Sequence, residues 1–188
     1  MAEVVAFAIL GFCAGATLSL SGGVGSNTYA WTGVNGFTST AQNPSIANAT
    51  TSATGTYQVI VTNGSGCTAM ATTSATVNAN PIATASNTSP ICAGTTLNLS
   101  SNAGFSSYVW TGISGFTSSL QNPSIANATT SATGTYQVIV TNENGCTAIA
   151  TTSATVNPTP ATPTTQADTQ IIFGGSVSLT ATGCSGEF

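Results

Sequence analysis

Cysteine thiols and a few carboxylates are the side chains through which this chain could do chemistry. Cys13 and Cys67 stand 54 residues apart, as do Cys92 and Cys146, and a fifth cysteine lies at Cys184. Regular spacing without a CxxC pair points to structural disulfides in an oxidising compartment, not to zinc or redox chemistry. The acids Glu3, Glu143, Asp168 and Glu187 are too few and too scattered for a calcium cage. Among the 188 residues there is no Lys, Arg or His. That removes imidazole bases, histidine metal ligands, Schiff-base lysines and phosphate-binding loops. Ser and Thr hydroxyls are abundant, but no base stands ready to activate one. The expectation is no catalytic, cofactor-binding or metal-binding residue, no cofactor and no enzyme. Without cations, phosphate-driven binding to nucleic acid has no source either.

These residues sit in a chain with 2% charged residues, where an average soluble domain carries about 25%. Its longest apolar stretch, residues 4–12, is interrupted by Gly11. It falls well short of the roughly 20 residues of a spanning helix, and it lacks the basic flank of a signal peptide. No membrane insertion is expected. The elements that must hold the cysteines recur with a period of 79 residues: Cys13, Trp31, Tyr57 and Cys67 return as Cys92, Trp110, Tyr136 and Cys146. Residues 42–63 are identical to residues 121–142. Each repeat closes on an apolar run followed by Asn and Pro, which break a ladder. The division expected is repeat 1 over residues 1–79, repeat 2 over 80–158, and a Pro-containing linker with the truncated start of a third repeat over 159–188.

Apolar residues alternate with period two in short runs: Leu18 and Leu20; Tyr29 and Trp31; Tyr57, Val59 and Val61. Gly, Asn, Ser and Pro turns separate the runs at roughly 8–12-residue spacing, the pattern of a β-sandwich or barrel. No stretch shows capped helical periodicity. The fold class expected is all-β. Trp31, Tyr57, Trp110 and Tyr136 are assigned to the core, and Phe37 and Phe116 to turns at the sandwich edge. The alternative for the tryptophans, and for the two phenylalanines, is contact with sugars.

Residues 44–59, with Gly55, Tyr57 and the upstream Trp31, resemble the corresponding segment of immunoglobulin domains. In that family a Tyr two residues after a Gly forms the tyrosine corner and a Trp lies inward on strand C; Tyr136 and Trp110 match the same positions in the second repeat. Val59 and Val138 stand where the family has its second cysteine, so the inter-sheet disulfide of antibody domains is absent. The resemblance implies tandem immunoglobulin-like β-sandwiches joined by short Pro-containing linkers. Over nearly the whole chain, the set Ser89-Pro-Ile-Cys92-Ala-Gly94, Trp110-Thr-Gly, Gly115-Phe116-Thr, Gln121-Asn-Pro123, Gly134-Thr-Tyr136 and Asn144-Gly-Cys146 is similar to the Ig-like and PKD-like repeats of Bacteroidota surface proteins. These include the giant gliding-motility adhesins exported by the type IX secretion system. That similarity implies an extracellular, cell-surface location.

Two disulfide pairings stay open. The first joins cysteines within repeats, Cys13 to Cys67 and Cys92 to Cys146. Immunoglobulin topology places those partners at opposite ends of a sandwich, roughly 30 Å apart for ten-residue strands, whereas a disulfide needs Cα atoms within about 7 Å. The second pairing therefore joins Cys13 to Cys146 between adjacent repeats and leaves Cys67 and Cys92 for other neighbours. The function expected is that of a non-catalytic stalk segment in a long repetitive surface adhesin or filament. Each repeat would add reach on the order of 35–40 Å. Its partners are neighbouring repeats of the same chain. The alternatives are a module that binds surface polysaccharide, a subunit of a self-assembling extracellular fibre, and an accessory domain of a secreted enzyme.

Overall fold

The computed structural model of the chain describes residues 7–8, 11–23 and 28–162. The start of the third repeat from residue 163, with Cys184, and the acids Glu3, Asp168 and Glu187 lie outside the described residues. The first repeat forms β1 (Phe7–Ala8), β2 (Phe12–Cys13), β3 (Leu18–Ser21), β4 (Thr28–Thr32), β5 (Thr38–Ser39), β6 (Ser45–Ile46), β7 (Gly55–Thr62), β8 (Thr68–Ala75) and β9 (Val77–Asn78). The second repeats the series as β10 (Ala85–Asn87), β11 (Ile91–Cys92), β12 (Leu97–Ser101), β13 (Ser107–Gly112), β14 (Thr117–Ser118), β15 (Ser124–Ile125), β16 (Gly134–Thr141), β17 (Thr147–Ala154) and β18 (Val156–Asn157).

Two antiparallel sheets build each sandwich, in the orders β1-β3-β6 and β5-β4-β7-β8, then β10-β12-β15 and β14-β13-β16-β17. Period-two alternation decides which side chains enter between them. Leu18, Leu20, Trp31, Tyr57 and Val59 are buried in the first core, and Leu97, Leu99, Trp110, Tyr136 and Val138 in the second. The fold is all-β and immunoglobulin-like. Its helical content among the described residues is limited to three-residue 3-10 turns such as Val34–Gly36 and Thr51–Ala53.

The long Thr/Ala run after Cys67 is not one strand. Thr54 Oγ1 accepts from Val77 N at 2.9 Å and donates to Val77 O at 3.3 Å, taking the place of a ladder partner. The chain then leaves β7 and pairs in parallel with β2, Val77 against Phe12 and Asn78 against Cys13. Thr133 does the same to Val156, and β18 pairs in parallel with β11. This switch places each β2-type cysteine at the end of its sandwich where the chain departs.

Glycine is required after each Trp-Thr pair. A Cβ on Gly112 would lie 2.3 Å from Tyr136 Cδ1, and one on Gly33 would meet Tyr57 equally closely. Gly112→Ala forces a fully buried ring out of place, and overpacking of this kind costs about 1–3 kcal/mol. The expected result is a lower denaturation midpoint for the second sandwich, read from Trp110 fluorescence, with the first sandwich unaffected.

Candidate functional site at the joint

The two repeats are held end to end by a covalent bond and a set of asparagine side chains. Cys13 and Cys146 form a disulfide with Cα atoms 5.5 Å apart across 133 positions of sequence. Cys67 and Cys92 are free and exposed, so the pairing within repeats does not form. The physical reason is strand length. Cys13 stands beside Asn78, whereas Cys67 precedes β8, whose eight residues span about 26 Å at 3.3 Å each. Cys146, in the β16–β17 turn, is at the end of its sandwich that faces the first repeat.

Asn142 organises that turn. Its Oδ1 accepts from the backbone N of Asn144 at 3.0 Å and of Cys146 at 2.9 Å. Its Nδ2 donates to the carbonyl of Ala79 in the linker at 3.0 Å. The linker is gripped from both sides. Asn80 Nδ2 donates to Ala14 O at 3.0 Å in the first sandwich. Asn102, at the end of β12, donates to Ile82 O at 2.9 Å and accepts from Thr84 N at 2.9 Å. A Pro-containing stretch is thereby pinned at Ala79, Asn80, Ile82 and Thr84. Sequence reading missed these asparagines because Asn is common in every turn of this chain. The one available signal was that an Asn stands four residues before both Cys67 and Cys146.

Trp31, Tyr57, Trp110 and Tyr136 all lie inside the sandwiches, each no more than 1% exposed. Tyr57 Oη donates to Ala53 O and Tyr136 Oη to Ala132 O, both at 2.8 Å, which makes a tyrosine corner in each repeat. Trp110 Nε1 donates to Gln121 O at 3.3 Å, while Trp31 Nε1 is buried with no partner among the described residues. Phe37 and Phe116 pack edge-on against Tyr57 and Tyr136 at 5.5 and 5.6 Å. Beside each pair is a shallow cleft of about 270 Å³, lined in the second repeat by Ile113, Phe116, Asn127 and Tyr136.

Burial pushes the Tyr57 and Tyr136 phenols above their ordinary value of about 10. A folded state that holds these phenols neutral keeps its full benefit below that pH and loses it as pH rises through the raised values. The expected result is a fall in stability only above about pH 10, seen as late phenolate formation in an ultraviolet titration. Tyr57→Phe with Tyr136→Phe removes the late step.

Among the described residues no three His, Cys, Asp or Glu side chains gather where a metal could bind. Nor is any helix of the described residues long and apolar enough to cross a membrane. The class defined by fold and joint is a tandem pair of immunoglobulin-like sandwiches with a disulfide between them. Among solved structures, the chain is similar to murine CEACAM1b, with TM-score 0.43, 13% identity and coverage of 84% of this chain and 100% of that one. It is also similar to a mouse coronavirus receptor-binding domain complexed with its murine receptor (TM-score 0.46, 14% identity, 84% and 100% covered). A third is the three N-terminal domains of the bacteriophage RB49 Highly Immunogenic Outer Capsid protein (0.38, 19%, 82% and 59%). No family model and no curated protein matches the chain.

Proposed function

We propose that this chain is a non-catalytic spacer in an extracellular, surface-tethered repetitive protein of the Bacteroidota adhesin type, set between the cell and a distal adhesive part. Repeat 1 over residues 1–79 and repeat 2 over 80–158 are its units, and 159–188 leads into a third. The observation that carries this reading is the joint. A bond between Cys13 and Cys146, with the linker hydrogen-bonded to both sandwiches, turns a flexible connection into a fixed one. Fixing the angle between units is useful where reach is the function, and a site in one sandwich would gain nothing from it. Type IX export and a part in gliding belong to this reading through the repeat motifs alone.

Small-angle scattering of the oxidised chain tests it. The expected particle is elongated, about 70–80 Å in its longest dimension from two units of strand-plus-linker length. Its dimensions should not change in molar salt, because the chain holds no cationic side chain with which an ion pair could form. A compact or strongly bending particle would sink the spacer reading. Saturable retention by a surface polysaccharide, abolished by Phe37→Ala with Phe116→Ala, would favour the glycan-binding reading, since the clefts beside Phe37 and Phe116 are the concave sites that reading needs. Lateral fibres would favour the self-assembly reading. Its natural surface is the row Val109, Ile139 and Ile149 across β13, β16 and β17, where Val109 and Ile149 are exposed.

A further inference from the structure

Among the described residues, each outer end of the pair of sandwiches carries half of the joint seen between them. At one end the β7–β8 turn is built like the β16–β17 turn. Asn63 Oδ1 accepts from Ser65 N and Cys67 N, both at 3.0 Å, and Asn63 N donates to Cys67 O at 3.0 Å. The corresponding bond from Asn142 N to Cys146 O is 2.9 Å. The two turns differ in what lies opposite. Asn142 Nδ2 reaches Ala79 O and Cys146 is bonded; Asn63 Nδ2 has no partner among the described residues, and Cys67 is free and exposed.

At the other end β11 is set like β2. Ala93 N donates to Asn157 O at 2.8 Å, as Ala14 N does to Asn78 O at 2.9 Å; Gly94 N donates to Ala128 O as Gly15 N does to Ala49 O, both at 2.8 Å. Cys92 is free and exposed where Cys13 is bonded. Pro158 stands where Ala79 does and offers the same acceptor, because proline keeps its carbonyl. Thr159 replaces Asn80, so the Asn80–Ala14 bond has no counterpart.

We propose that a second copy of this chain docks head to tail through these halves. The Asn63–Cys67 turn of one copy sits on the Cys92 end of the other, Asn63 Nδ2 donates to Pro158 O, and a Cys67–Cys92 disulfide closes the contact. The oxidant is a small disulfide such as oxidised glutathione. One cysteine thiolate attacks a glutathione sulfur and releases the first glutathione thiolate. The second cysteine thiolate then attacks the protein sulfur of the mixed disulfide and releases the second. The two glutathione thiolates take up the protons given by the two cysteines, so two protein thiols become one disulfide and one glutathione disulfide becomes two thiols.

The contact is directional, and the test uses that. In the full chain carrying Cys184→Ser, one preparation adds Cys67→Ser and another Cys92→Ser. Each is incubated with oxidised glutathione, alone and mixed, with the Cys13–Cys146 bond left intact. The mixture should give a covalent dimer at least tenfold above either preparation alone, linked through Cys67 and Cys92 by mass spectrometry of chymotryptic peptides. Trypsin has no site in this sequence. The variant with both cysteines present should give a ladder. Adding Asn63→Asp keeps the two acceptor bonds of the turn, removes the donor to Pro158 O and should lower dimer yield several-fold. Cys67–Cys67 or Cys92–Cys92 dimers at similar yield, glutathione adducts without dimer, or no effect of Asn63→Asp would each overturn the proposal. This proposal rests on the joint and not on the spacer reading: an elongated particle that forms no mixed dimer would retire the docking and leave the spacer.

Discussion

Trp110→Ala unfolds the second sandwich and leaves the first one standing. Trp110 is fully buried between the sheets, among Leu97, Leu99, Tyr136 and Val138. Removing a buried aromatic side chain of this size costs about 3–5 kcal/mol in lost transfer energy and residual cavity. A domain of this length has a total stability of about 4–12 kcal/mol, at 0.05–0.15 kcal/mol per residue. The loss is therefore comparable with everything the second sandwich has. The first keeps its own core around Leu18, Trp31, Tyr57 and Val59, which shares no residue with the second. The variant contains its own reporter, because Trp31 is then the single tryptophan and reports only on the first sandwich. Amide exchange should show protection lost in β13, β16 and β17 and kept in β4, β7 and β8. Loss of protection in both would mean that the two cores unfold as one unit, and independent cores would then be the wrong description.

Much of this architecture is readable before any coordinates. The alternation in residues 56–61 puts Tyr57, Val59 and Val61 on one face, and all three are buried. The repeat then transfers that reading to Tyr136, Val138 and Val140. Pairing is harder to read than facing. Nothing in Phe12-Cys13 announces a strand that runs parallel to Val77-Asn78, because two residues carry no period. The break at Thr76 is also hidden, since its cause is the Thr54 side chain, which bonds Val77 from 23 positions away. The joint is the least legible part. Its linker contacts are single asparagine amides to backbone carbonyls, and an amide that grips a linker has the same letter as one that closes its own turn. Choosing between disulfide pairings needed the ends of the sandwich to be assigned first. It follows from strand length and not from cysteine spacing, which favours both pairings equally.

Breaking the staple should weaken both sandwiches at once, and loop length sets the size of the effect. The Cys13–Cys146 bond closes 133 positions, worth about 5 kcal/mol if the whole loop unfolded together. Two separate cores make that the wrong loop. When the second sandwich opens while the first stays folded, Cys13 is held beside Asn78 by β2 and β9, so the free chain runs only from residue 78 to residue 146. When the first opens alone, Cys146 stays beside Ala79 through Asn142, and the free chain runs from residue 13 to residue 79. Each loop is about 65–70 residues, and either closure is worth about 4 kcal/mol in the same model. One bond thus stabilises two domains that share no core. Cys13→Ser with Cys146→Ser should lower the denaturation midpoints reported by Trp31 and Trp110 alike, and broaden the distribution of distances between labels placed on the two sandwiches. A variant whose two midpoints stay put would mean that the cores owe nothing to the bond. If the label distances also stayed narrow, the asparagine contacts alone would be holding the joint.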